Sequence, residues 1–187
     1  MSDRPSVRPF STLAECEGMV DYYLGLGEEG QRAMGIDPGR LPSREEWVAA
    51  VRADLDRADA ERERFYVGWY LGERRVGHSS LSHIEPGVKG HCHLHLWEPE
   101  LRRSGRGPRF LADSIDLYFE RFDLETVVCE PRAENPAPNR ALPKLGFRLV
   151  KRYRTVPTSM AYEQDIHRWE VSREEWIERR ARAARSG

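Results

Sequence analysis

Apolar residues recur at helical spacing in several stretches of the chain and cluster in short runs between them. Ser11 precedes Leu13, Met19, Val20, Tyr23 and Leu24, which predicts a capped helix; Gly25, Gly27, Gly30, Gly35, Pro38 and Gly39 then interrupt any period and predict a shaped loop. Ser43 with Glu46 three residues later reads as a capping box ahead of Trp47, Val48, Val51 and Leu55, so 43–62 is expected to be an amphipathic helix. Three short apolar runs follow at 65–71, 76–84 and 90–97, separated by turn residues at 72–74 and 86–87, the pattern of an antiparallel meander. From Gly105 the period is helical again through Phe110, Leu111, Ile115, Tyr118 and Phe119. A strand over 125–130, a second helix, strands over 147–156 and 162–171, and an Arg-rich, Ala-rich tail after Ser172 that reads as a short fraying helix complete the order. The fold class is mixed α/β, with no internal repeat.

At 187 residues the chain fits one domain, and a unit of that size withdraws roughly 70% of its unfolded surface from water. Thirty Lys and Arg nearly cancel thirty-one Asp and Glu, so no global field draws the molecule to nucleic acid or membrane, and any basic site is local. Cys16, Cys92 and Cys129 are odd in number and far apart, which points to a reducing compartment. No apolar stretch approaches the length of a membrane span and the amino terminus lacks a signal pattern; the expected location is the cytoplasm.

One local basic site stands out. Arg102, Arg103, Ser104, Gly105, Arg106 and Gly107 lie between a strand ending at Trp97 and a helix opening at Pro108 or just before it. The first turn of a helix offers unpaired N–H donors and the positive end of its dipole. Two glycines let the backbone approach an anion closely, and Pro108 suits the first helical position. Several charge-assisted hydrogen bonds, each worth about 1.5–3 kcal/mol, could anchor a nucleotide-like handle.

Arg102-x-x-Gly105-x-Gly107 after a strand resembles the acyl-CoA pyrophosphate signature of the GNAT acetyltransferases. Glu130-Pro-Arg-Ala-Glu-Asn135, then Asn139, then Leu145-Gly146-Phe147, resembles that family's next strand and helix. The likeness covers 65–155. It implies a mostly antiparallel central sheet flanked by helices, whose central strands splay beside Leu96 and Trp97 to admit pantetheine, with Asn135 and Asn139 lining the slot. It divides the single domain into acceptor-side helices and loop (1–62), a sheet and CoA-binding core (65–171) and a tail (172–187). It implies acetyl-CoA or another acyl-CoA as co-substrate, no metal, and a small-molecule amine as acceptor, and leaves a homodimer open. His95-Leu96, Glu130-Pro131 and Asn135 are also similar to acyltransferases of hydroxylated amines in siderophore pathways, although Arg132 stands where that subgroup has Asp. Two alternatives keep different donors or roles: aminoacyl-tRNA as acyl donor, the one route by which nucleic acid enters, or an acyl-CoA-binding module without turnover.

A lysine-like acceptor is neutral in only about one part in 2,500 at pH 7, so attack on a thioester needs a proton acceptor. Glu130, at the end of its strand, and His95, on the opposing one, are the two candidates. A backbone N–H near Trp97 would polarise the carbonyl oxygen. Many GNAT relatives protonate the departing thiolate with a Tyr at the position of Leu142, so the acid here is open among Tyr118, Tyr153 and Tyr162. Cys129 could carry the acyl group, although a buried strand cysteine is the commoner role. His91, His93 and His95 alternate and share one face, which imitates a cupin metal motif, but no His lies between His95 and His167 to complete it.

Overall fold

The computed structural model describes residues 4–102 and 104–185. Seven strands, β1 (Pro5–Pro9), β2 (Arg64–Leu71), β3 (Arg74–Glu85), β4 (Lys89–Leu96), β5 (Thr126–Cys129), β6 (Arg148–Thr155) and β7 (Gln164–Ser172), form one sheet in the order β1-β2-β3-β4-β5-β7-β6. All neighbours are antiparallel except β4 and β5. Six α-helices accompany it among the described residues: α1 (Leu13–Gly25), α2 (Gly27–Ala33), α3 (Arg44–Leu55), α4 (Arg106–Phe122), α5 (Pro136–Lys144) and α6 (Arg173–Arg185). None is long and apolar enough to cross a membrane.

Alternation along the strands divides the side chains between two faces. Phe65, Val67, Trp69, Val76, Leu81, Cys92 and Val127 meet Phe110, Leu111, Ile115, Tyr118 and Phe119 of α4 in the main core. Full burial of such a side chain is worth about 1.5–3 kcal/mol. Trp69 stacks on Phe110 and its indole donates to Ser114 Oγ at 2.9 Å, which satisfies the one polar atom it brings into the core. On the opposite face α1 and α3 pack Cys16, Met19, Val20, Trp47 and Val51 against Phe10 and Tyr66. Arg75 of β3 ties α1 to that face. Its guanidinium donates to the carbonyls of Glu15 (2.7 Å) and Ala14 (3.3 Å) and lies over the Trp97 ring at 4.8 Å. A Cβ at Gly18 would overlap it.

Four local expectations change. The cap of α1 is Thr12, whose hydroxyl accepts from Glu15 N while the Glu15 carboxylate reaches back to Thr12 N. α3 keeps its Ser43–Glu46 capping box but ends at Leu55, short of 62. The Asp54 carboxylate accepts the N–H groups of Glu63 and Arg64, both at 2.9 Å, and so pulls the chain back to start β2. β1 is an edge strand bounded by two prolines, a place where the missing N–H does no harm. The glycine-rich stretch after Gly25 contains the two-turn helix α2, where only a loop was expected. The tail helix α6 is docked by Trp176, whose indole donates to Asp116 on α4 at 2.7 Å.

Candidate active site

β4 and β5 share four register pairs, from Lys89 with Thr126 to Cys92 with Cys129, and then part. β4 runs on beside β3 to Leu96. The chain beyond Cys129 instead follows β7, with His167 N–H donating to Pro131 O at 3.0 Å and Ala133 N–H to Asp165 O at 2.8 Å. The result is the splayed opening that the resemblance implied. Trp97 N–H donates to Val76 O at 2.9 Å. Because neighbours in an antiparallel ladder alternate sides, Leu96 N–H is the amide that faces the opening. Of the amides near Trp97, that of Leu96 is therefore the one free toward the opening, since that of Trp97 is held by β3.

The loop over 102–107 follows directly. Gly105 takes φ 77° and caps α4 without any side-chain hydrogen bond to the first turn. A Cβ at Gly105 would meet nothing within 4 Å, and one at Gly107 only Leu96 Cδ2 at 3.9 Å. Arg106 N–H has only a long 3.5 Å contact to Ser104 Oγ, whose own hydroxyl donates to Leu101 O. Arg102 reaches Leu96 O at 3.5 Å and remains exposed. Open first-turn amides, bare glycines, the exposed Arg102 and the half-buried Arg106 fit a diphosphate. Arg103 lies outside the described residues.

His91, His93 and His95 share the face that α1 covers, but their partners differ. His91 Nδ1 sits 3.3 Å from Glu130. His93 Nε2 lies 2.9 Å from Ser82 Oγ, which also contacts His83 at 3.1 Å. His78 accepts from the Trp97 indole at 2.9 Å, which fixes the tautomer and directs its other nitrogen to Tyr23 Oη at 3.4 Å. His167 bonds Asn139. Among the described residues, His95 is the histidine without a hydrogen-bond partner. Rings of Tyr23 (5.0 Å), His78 (5.0 Å) and Tyr22 (6.1 Å) enclose it, and Tyr22 stacks on Trp97. Burial pushes its pKa down to about 4, so it is neutral at pH 7. No group of three or more His, Cys, Asp or Glu among the described residues could hold a metal ion.

Glu130 is mostly buried. Burial alone would raise its pKa, but hydrogen bonds from His91 and Tyr153 and the charges of His91 and Arg168 bring it down to about 2. The carboxylate is already engaged by Tyr153, His91 and Arg168, which leaves it little capacity to accept a further proton from a substrate. The three tyrosines considered as acids are engaged elsewhere: Tyr118 donates to Ser79 in the main core, Tyr153 to Glu130, and Tyr162 accepts from Arg32. Tyr22 and Tyr23, which reach His95, are marked in the sequence only as an adjacent aromatic pair that a single helix stripe cannot bury together. Leu142 is fully buried. Cys129 has its thiol pushed up to about 12, first by burial and then by Glu130, and is an inert core group.

Asn135 caps α5 through Ala137 N. Asn139 donates to the carbonyls of Arg132 and Asn135 and accepts from His167 and Trp169, so its amide locks α5 to β7 and has no capacity left for a ligand. The Asn139 amide thus braces the wall of the slot that the residue was expected to line. Above this face an arch closes the space. Ile36 bridges Ala161, Asp37 N–H donates to Met160 O at 2.8 Å, Tyr162 N–H to Gly35 O at 3.1 Å, and Arg40 to Ala161 O at 3.0 Å. The glycine-rich segment after α1 and the β6–β7 loop thus form one wall over the imidazole-lined floor.

Comparison with known proteins points one way. The family model described as an acetyltransferase (GNAT) domain matches residues 8–148. A ribosomal-protein-S5-alanine acetyltransferase from Vibrio fischeri superposes with TM-score 0.73 at 17% identity, covering 92% of this chain and 94% of that one. A spermidine N-acetyltransferase from Vibrio cholerae, solved with CoA and spermine, gives 0.71 at 13% identity, covering 92% and 98%. A ribosomal L7/L12 α-N-protein acetyltransferase in complex with coenzyme A gives 0.73 at 17%, covering 91% and 95%. No curated protein matches by sequence.

Proposed function

Because the chain belongs to the GNAT acetyltransferase family, we propose that it transfers an acetyl group from acetyl-CoA to the amine of a small molecule held beneath the arch, with His95 as proton acceptor. The observation that carries this reading is an imidazole without a hydrogen-bond partner, on the strand that borders the splay and one residue from the open Leu96 amide. Solved relatives of the same fold that hold CoA support the choice of donor.

Acetyl-CoA, when bound, supplies the thioester carbonyl carbon. The first-turn amides of α4 with Arg102 and Arg106 hold its diphosphate. Leu96 N–H donates to the carbonyl oxygen as negative charge gathers there. The uncharged amine nitrogen forms the new C–N bond while the C–S bond breaks. Its surplus proton passes to His95 and from there to solvent, the electron pair leaves on sulfur, and sulfur takes a proton from solvent to give the free thiol. Trp97 and His78, joined by one hydrogen bond, keep the rings beside His95 in place.

His95→Gln should lower kcat by at least about 100-fold, the usual contribution of a positioned proton acceptor, with acetyl-CoA affinity nearly unchanged. Glu130→Gln should lower it less than about tenfold. The inverse order, measured by thiol release under saturating donor, would return the role to Glu130; donor binding without turnover in the wild type would leave a binding module. The arch gives a second expectation. Replacing 27–40 with a Gly-Ser linker removes α2 and the Ile36 bridge, and should cut kcat/KM for the acceptor at least about tenfold while calorimetry finds acetyl-CoA affinity intact. Loss of donor affinity in a folded variant would show that this segment serves the other substrate.

A further inference from the structure

The departing sulfur needs a proton, and the position on α5 where many GNAT relatives carry a tyrosine is Leu142, fully buried. The chain has seven tyrosines. Beyond Tyr118, Tyr153 and Tyr162, already engaged, Tyr70 donates to Glu15 at 2.6 Å and Tyr23 Oη lies 3.4 Å from His78 Nε2. Tyr66 stacks on Phe10 in the core beneath α1 and α3. Tyr22 combines a hydroxyl without a hydrogen-bond partner among the described residues with a place at the reacting centre. Its ring meets both chain neighbours of Leu96: it stacks on Trp97 at 5.2 Å and lies 6.1 Å from His95. Arg102, which reaches the Leu96 carbonyl at 3.5 Å, is also the charge that acts on the Tyr22 phenol. Tyr22 therefore brackets the Leu96 amide, between the imidazole and the donor loop. Burial raises its pKa above the usual 10 against the opposing pull of Arg102, so the phenol keeps its proton at pH 7.

We infer that Tyr22 is the group that hands the proton to the departing CoA sulfur, so that in this chain the acid stands on α1, across the sheet from α5. The inference rests on the acetyl-transfer reading above and names a further catalytic residue for it. As the C–S bond breaks, its electron pair goes to sulfur. The Tyr22 O–H bond breaks while the S–H bond forms, and the phenolate regains a proton from water, which reaches the half-buried ring. The proton that sulfur draws from solvent thus passes through one placed hydroxyl. Trp97, stacked on the phenol, and Arg102, whose charge favours the phenolate, hold that hydroxyl to its task.

Tyr22→Phe keeps a ring on Trp97 and removes only the hydroxyl, and two measurements on the full chain read the difference. In the first, the thiol of bound CoA is titrated by the ultraviolet absorbance of its thiolate, with protein lacking CoA subtracted. A hydroxyl that donates to the thiolate favours the charged form, so its removal should raise the thiol pKa by at least about one unit. In the second, thiol release from acetyl-CoA is followed with benzylamine, tyramine and spermidine, and the fastest acceptor is carried through. The variant should lose about 100-fold in kcat, the low end for a positioned acid, with the KM of the acceptor changed less than about threefold. An unchanged thiol pKa, or turnover within about tenfold of the wild type, overturns the inference and leaves acetyl transfer standing. No turnover with any amine by a wild type that binds acetyl-CoA in calorimetry overturns acetyl transfer, and the acid with it.

Discussion

Gly107→Glu is expected to weaken CoA binding by at least about 100-fold, or some 2.7 kcal/mol, while leaving the protein folded. The two halves of that expectation have separate causes. A side chain at 107 meets only Leu96 Cδ2 at 3.9 Å, so the substitution has room, and φ there is not in the left-handed region as it is at Gly105. A carboxylate in the first turn also opposes the helix dipole favourably, by about 0.3–1 kcal/mol, so α4 should lose no stability. For a bound diphosphate the same carboxylate places negative charge beside the amides that would otherwise hold it. The loss is comparable to one or two charge-assisted hydrogen bonds at about 1.5–3 kcal/mol each. Calorimetry with CoA and a circular-dichroism melt check the two halves, and unchanged affinity in a folded variant would remove the loop from donor binding.

Acidification is expected to unfold the protein well above the carboxylate range. Burial, with Arg64 and the neighbouring imidazoles, pushes His93 down to about 3; burial takes His95 to about 4 and lowers His78 as well, all from 6.5. Between pH 6.5 and about 4 the unfolded chain binds protons at these positions and the folded chain does not. Stability is therefore full above 6.5 and falls as pH drops through it. His93 and His95 together give about 2.7 kcal/mol per pH unit, and His78 adds to it. Two pH units then remove about 5 kcal/mol, which rivals the whole stability of many domains. Glu130 acts in a lower window. Its folded pKa of about 2 lies below the ordinary 4.5, so its contribution is present above 4.5 and is lost only as pH falls toward 2. Urea unfolding at pH 7.5, 6.5, 5.5 and 4.5 measures the slope, and His93→Gln should flatten it by about one proton. A level profile from 7 to 5 would contradict the burial of these imidazoles.

The parts of the chain legible in the sequence are those where the backbone itself demands a residue type. Gly105 at positive φ before α4, Gly146 at φ 91° after α5 and the Ser43–Glu46 box each mark a local requirement that neighbours in sequence reveal. What was hidden depends on distant partners. α3 stops at Leu55 because Asp54 captures amides nine and ten residues on. β1 is five residues that begin and end on proline and exists only because β2 offers it an edge. α2 forms across glycines because the Gln31 side chain donates to Tyr23 O and the bridge to Ala161 anchors its far end. Six histidines look alike along the chain. Only the folded arrangement gives five of them partners and leaves His95 open, and only there do His91, Tyr153 and Arg168 gather on the Glu130 carboxylate.

The space beneath α1 at Gly18 is filled by the guanidinium of Arg75, which also lies on Trp97. Glycine inside a helix ordinarily costs about 1 kcal/mol relative to alanine, so this position forgoes helical stability to admit an arginine from the sheet. Arg75 thereby links α1, which carries Tyr22 and Tyr23, to the ring of Trp97. A methyl group introduced at 18 would meet the end of that flexible side chain, so Arg75 would have to withdraw, giving up the carbonyls of Ala14 and Glu15 and its place on Trp97.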